Sequence, residues 1–174
     1  ADARARFEAL DAFYTGEVWR WHRNAANDTM IDSDNVLQLK PMFGDLGGLS
    51  RAPLGATARP RSMIVATLYH LTPGASGGGF ASFFNDEIAP LLRDIQAFPF
   101  AAFITDPSPN AYPRLPVREG ETVFLTFARF ETAKAYAPGS PINAEITQRI
   151  GAAPHLIART ETRRLQPTAR SALR

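Results

Sequence analysis

Three observations predict an α+β fold built on a βαββαβ unit. From Ser62 onward, β-prone and helical segments follow one another in that order. The apolar spacing switches between strand and helix periods at the segment boundaries, which are marked by proline and glycine. The first and third of these strands are apolar on both faces, so the sheet they form needs cover on both sides.

The elements follow in order. Residues 3–28 favour helix, with Phe7, Leu10, Phe13 and Tyr14 at helical spacing, an interruption at Gly16, and Val18, Trp19, Trp21 and His22 beyond it. Residues 30–40 read as a strand through Ile31, Val36, Leu37 and Leu39, ended by Pro41, which cannot donate to a sheet ladder. Residues 42–61 carry Gly44, Gly47, Gly48, Pro53, Gly55 and Pro60 with little periodicity, and read as a linker. Residues 62–71 are the first strand of the unit, closed by Thr72-Pro73-Gly74. The spacing of Phe80, Phe83, Phe84, Ile88, Leu91, Leu92 and Ile95 predicts a helix over 80–97, with a kink or local break at Pro90. A second strand spans 98–106, a proline-rich excursion 107–120, and a third strand 121–130. Residues 131–151 predict a weaker helix broken at Pro138-Gly139-Ser140-Pro141, with Ile142, Ile146 and Ile150 on one face. The fourth strand is 155–166, ended by Pro167. Two right-handed βαβ crossovers sharing one sheet give the split βαβ, or ferredoxin-like, arrangement.

A partial repeat accompanies this order. Arg6-Phe7-Glu8 leads through helix and strand to Leu39-Lys40-Pro41, and Arg129-Phe130-Glu131 leads likewise to Leu165-Gln166-Pro167. The expected organisation is therefore the last helix and strand of a first copy (1–41), a linker (42–61), a complete second copy (62–168), and a basic tail (169–174).

Composition narrows the function. The 174 residues are 45% hydrophobic, enough for a core, and carry a net charge of only +2. Seventeen arginines stand against two lysines, Lys40 and Lys134, a skew that reads as genomic composition bias. Arg163, Arg164, Arg170 and Arg174 make the C-terminus basic, but no aromatics interleave them; a solvated tail is expected and nucleic-acid binding is not. The absence of cysteine excludes disulfides, thiol catalysis and cysteine-based metal sites, and fits a reducing compartment. No apolar run approaches the ~20 residues needed to span a bilayer. The expectation is a cytoplasmic protein without a signal peptide or membrane contact.

Residues 13–23 (Phe-Tyr-Thr-Gly-Glu-Val-Trp-Arg-Trp-His-Arg), continuing to Val36-Leu37-Gln38-Leu39-Lys40-Pro41, resemble the C-terminal end of a NIPSNAP domain, where a short Trp-bearing helix leads into a strand closed by Leu-x-Pro. Tyr69-His70-Leu71-Thr72-Pro73-Gly74 resembles the exit of that family's first strand, and residues 83–92, with Pro90-Leu91-Leu92, resemble its first helix. The second copy departs from the pattern by carrying Pro-Gly-Ser-Pro where the Trp would stand. The resemblance implies two ferredoxin-like sheets paired face to face into a dimeric α/β barrel. The missing parts of the first copy are then expected on a companion chain or elsewhere in a longer one, or are replaced by a homodimer contact. It also implies a pocket between sheet and helices. Relatives use such a pocket for cofactor-independent oxygenation, isomerisation or cyclisation, and some bind haem.

Candidate chemistry is sparse. His22, His70 and His155 fit no linear metal motif. His70, at the end of a strand beside Tyr69, is a candidate acid/base, with a partly exposed strand-end histidine as the alternative. His22 and His155 read as packing or strand-start residues. Asp28, Asp32 and Asp34 superficially suggest a calcium loop, but the sixth and twelfth positions would be Ser33 and Leu39, so an Asx-stabilised turn fits better. Gly77-Gly78-Gly79 lacks the rest of a phosphate loop and reads as a turn. No Gly-x-Ser-x-Gly occurs. Arg129 and Arg159 lie within strands. Arg159 alternates with Ile157 and Glu161, and would hold a carboxylate or enolate if that face looks inward, or be a surface residue if it looks out.

These residues lead to a small-molecule enzyme or binder working without an organic cofactor, with Tyr69 and His70 as catalytic candidates and Arg159 and Tyr112 as substrate-binding ones. The alternative is a non-catalytic interaction module whose apolar faces serve assembly.

Overall fold

The computed structural model describes residues 3–32, 34–44, 46 and 50–173. Ser33, Gly47, Gly48 and Arg174, named above, lie outside the described residues. The chain divides into two compact units, Ala1–Lys40 with Thr105–Glu121, and Pro41–Ile104 with Thr122–Arg174.

In the first unit, α1 (Ala3–Thr15) and α2 (Glu17–Asp28) meet at Gly16, which caps α2 in an extended conformation. Phe13, Tyr14 and Trp19 pack edge to face or tilted across that joint, with centroids 5.0–5.4 Å apart. Residues 34–38 form no strand. Their carbonyls instead accept from the proline-rich excursion, Gln38 from the Asp106 amide at 2.9 Å and Val36 from the Arg118 amide at 2.8 Å.

The strand expected over 30–40 is thus displaced to β1 (Leu39–Gly44). Pro41 lies inside it rather than ending it. That is tolerated because β1 is the outermost strand of the sheet, where one edge needs no donor. Gly44 sits at φ +68°, and a side chain there would run into the Phe100 carbonyl, so only glycine suits the end of β1.

The second unit carries β2 (Met63–Leu71), β3 (Ala97–Thr105), β4 (Val123–Phe130) and β5 (Ile157–Leu165). The order across the sheet is β1-β3-β4-β2-β5. The last four strands pair antiparallel, with β2 between β4 and β5, as the split βαβ arrangement requires. Between β2 and β3 the expected helix runs as α3 (Gly77–Phe83), a π turn (Phe84–Ile88) and α4 (Ala89–Asp94). The break anticipated at Pro90 takes the form of this widened turn. It absorbs the clash and missing N–H that proline brings to a helix. Gly77-Gly78-Gly79 is the first turn of α3, capped by the Ser76 hydroxyl, which accepts from the Gly79 amide at 3.0 Å. The second helix is shorter than expected, α5 (Pro141–Gly151), because residues 131–140 form turns. Ser140 caps α5, and Pro141 takes a first-turn position where no amide is needed.

The core lies between the sheet and these helices. Tyr69 and Phe124 meet Phe80 and Phe84 at ring distances of 4.9–6.1 Å, with Ile88, Ala102 and Ile157 closing around them. Met63, Val65, Ala128 and Phe130 continue it toward Leu92, Ile95 and Tyr136. The opposite sheet face carries Ala66, Leu68, Phe103, Leu125 and Phe127, all only half-buried. No helix among the described residues is long and apolar enough to cross a membrane.

Candidate functional site

Strand period places Tyr69 and His70 on opposite sides of the sheet. Tyr69 faces the helices. His70, 5% exposed, faces the other way and stands opposite Arg159 of β5 in the ladder. There its Nε2 lies 2.9 Å from Glu161 Oε1, and Arg159 Nη2 lies 3.3 Å from its Nδ1. Arginine cannot accept a hydrogen bond, so Nδ1 accepts and Nε2 carries the proton that it donates to Glu161. Glu161 also receives Arg159 Nη1 on Oε1, and Arg163 Nη2 on Oε2 at 3.2 Å. The hydrogen bond to His70, then the Arg159 contacts, holds the Glu161 carboxyl below its ordinary value against the opposing effect of desolvation. The cluster brings His70 and Arg159 together as candidates, and adds Glu161, which the sequence reading had only as a neighbour in the alternation.

The face of Arg159 is set by a feature hidden in that alternation. Pairing shifts between His70 and Leu71, so that Leu71 stands opposite Ile157 while His70 stands opposite Arg159. The resulting bulge turns Ile157 into the helix-side core and Arg159 to the other face, so they do not share a side as strict alternation predicts.

On the helix side, a cavity of about 320 Å³ opens between β4, β2, β5 and α5. Its floor is Thr126, Thr67 and Thr162, mutually opposite across three strands, with Tyr69 and Thr160 in the next row. Thr126 is 2% exposed, and its hydroxyl donates to the Thr67 carbonyl at 3.5 Å. Burial pushes the Tyr69 phenol up, only partly offset by the polar Thr126 side chain, so it stays protonated at neutral pH and is not a general base there. Ile146 and Ile150 of α5, with Leu92 and Phe130, supply apolar walls, and Asn143 and Thr147 a polar rim.

Tyr112 belongs to the first unit. It stacks on Tyr14 at 5.8 Å and 17°, tilts against Phe7 at 5.9 Å, and receives support from Asn110, whose Oδ1 accepts from its amide and from Arg6. It is 4% exposed, and its hydroxyl has no partner among the described residues. His22 is exposed on α2, and the backbone carbonyl of His155 accepts from Thr72. Asp32 accepts from the Asp34 amide at 3.1 Å, an Asx turn. Arg129 pairs with Glu131 at 2.7 Å.

The chain is similar to solved NIPSNAP-type structures. One is an uncharacterised NIPSNAP-like domain protein from Burkholderia xenovorans, at 17% identity and a TM-score of 0.43, covering 62% of this chain and 86% of that one. Another is a NIPSNAP family protein from Agrobacterium tumefaciens, at 15% identity and a TM-score of 0.47, covering 73% of this chain and all of that one. No family model and no curated protein sequence matches the chain.

The cavity threonines escaped the sequence reading. Their signal was present, since all four alternate onto the helix-facing side of the sheet, Thr67 and Thr126 where a packed core would take valine, and Thr160 and Thr162 at exposed positions of the edge strand. Threonine is also an ordinary strand residue, so only the register reveals that they converge.

Proposed function

We propose that this chain is a NIPSNAP-like α/β-barrel protein that binds a small molecule, and acts without an organic cofactor, in the cavity between its sheet and α5. The observation that carries this reading is the cavity itself. Its volume falls in the range of small-molecule sites, and it mixes apolar walls with a few convergent polar groups. Tyr69 contributes a neutral hydroxyl to its floor. The half-buried apolar face on the other side of the sheet supports a homodimer, or a companion chain, as its cover. The lack of cysteine supports a cytoplasmic location.

The test is a fragment titration followed by methyl NMR. Bound compounds are expected to shift the Ile146 and Ile150 methyl signals, and Ile150→Trp, which fills the cavity, is expected to abolish those shifts. A library that leaves both methyls unmoved, or shifts that persist in Ile150→Trp, refutes the reading.

The His70–Arg159 contact favours a second reading on the opposite face. Arg159, whose side chain is about half exposed, would hold a carboxylate or enolate while His70 moves a proton. Benzoate is then expected to shift the His70 ring signals in the wild type but not in Arg159→Ala; equal shifts in both would rule this out.

A further inference from the structure

The cavity is walled, among the described residues, without a single Asp, Glu, Lys, Arg or His. A charged ligand entering it would lose water and gain no counter-charge. The floor is nonetheless polar in a specific pattern. Thr67 stands opposite both Thr126 and Thr162, so three threonines form one row across three strands, whose usual spacing is about 4.8 Å. Valine has the same shape and β-branching and would pack such a floor without polar atoms. The Thr126 hydroxyl donates to the Thr67 carbonyl and keeps its acceptor sites, while the Thr67 and Thr162 hydroxyls and the Tyr69 phenol can both donate and accept. Opposite them, Leu92 of α4 and Ile146 and Ile150 of α5 offer only apolar surface, and Phe130 extends it along β4.

We propose that the threonine row selects an uncharged, ring-sized ligand that turns a hydroxyl or carbonyl edge to the sheet and an apolar face to α5. This rests on the reading of the cavity as the ligand site. It specifies the class of ligand, as that reading does not. Anions are excluded from this cavity for want of a cation in its walls, and pure hydrocarbons are disfavoured because they would strand the hydroxyls.

The test uses three probes of one shape: 2-naphthol, naphthalene and 2-naphthoate, titrated at neutral pH by fluorescence and calorimetry against the full chain. The expected order has 2-naphthol several-fold tighter than naphthalene and at least about tenfold tighter than 2-naphthoate, one hydrogen bond being worth roughly that range. Thr67→Val is expected to erase the preference of 2-naphthol over naphthalene, weakening 2-naphthol and relieving the penalty on naphthalene. Thr67→Ser, which keeps the hydroxyl, is expected to retain the preference, so a loss of folding in one variant does not decide the result. Ile146→Trp is expected to abolish binding of all three. Tightest binding by 2-naphthoate, or equal binding of 2-naphthol and naphthalene, with Ile146→Trp still blocking, overturns the ligand class and leaves the cavity reading standing. Failure of all three to bind, or binding that survives Ile146→Trp, overturns both.

Discussion

Glu161 receives His70, Arg159 and Arg163, so its carboxylate is worth more to the folded chain than to the unfolded one. A group whose folded value is depressed adds stability above its unfolded value, about 4.5, and that stability is lost as pH falls through the lower folded value. Glu161→Gln is therefore expected to be less stable than the wild type near pH 7, with the gap closing as pH drops below about 4.5. Urea midpoints measured from pH 3 to pH 7 check this; a gap that stays constant with pH would refute it. The side chain is partly exposed, which limits the effect through solvent screening. At this scale the sequence was legible only in part. His70 and Arg159 emerged as candidates because both fall at strand positions where an ionisable group is conspicuous. Tyr69 seemed to belong beside His70 because it is next to it in the chain, yet strand period sends the two to opposite faces. The bulge that separates Ile157 from Arg159 breaks a simple alternation, and no residue in Ile157-Ala158-Arg159 announces it.

Helix α5 closes the cavity, and its position depends on its first turn. The Ser140 hydroxyl accepts from the Asn143 amide at 3.3 Å and from the Asn143 side chain at 3.0 Å, while that side chain also donates to the Ala137 carbonyl. Ser140→Ala is expected to cost about 1 kcal/mol in stability. It should also weaken cavity binding relative to Ser76→Ala, which removes the corresponding cap from α3. Paired thermal melts and titrations distinguish them, and equal effects on binding would argue that α5 placement does not depend on its cap. The element order was readable from periodicity and from Pro and Gly, including the disturbance near Pro90. Two boundaries were not. Val36 and Gln38 lie in a β-prone stretch, but their carbonyls accept from amides of the proline-rich segment, which have no periodic signature. Pro41 looked like a terminator because its missing donor matters only in an interior strand, and edge position is a property of the sheet rather than of the local sequence.

At the scale of the whole molecule, the second face of the sheet is the surface on which the proposed dimer rests. Phe127 is flanked by Phe100 and Phe103 at 6.2 and 6.0 Å, and Leu68 and Leu125 extend the apolar strip. Its edges are poor sites for lateral growth, since β5 is rich in arginine and β1 is short and contains Pro41 and Gly44. This leaves face-to-face pairing as the contact for the proposed dimer. Phe127→Asp is accordingly expected to shift the chain toward monomer in light scattering coupled to size exclusion, without changing far-UV circular dichroism; an unchanged mass would sink the proposed dimer. The four-strand order was foreseeable because β-α-β-β-α-β with right-handed crossovers leaves few alternatives. The grouping of Thr105–Glu121 with Ala1–Lys40 was not, because contacts such as Asp106 to Gln38 join backbone to backbone. The central place of β2 has a kinetic consequence. It is the first of the unit's four strands to be synthesised, yet both its neighbours, β4 and β5, come much later. Its hydrogen-bonding edges stay open until long loops close around it, so folding of the sheet waits on the arrival of Leu165 and should be slow for a chain of this size, about milliseconds to seconds.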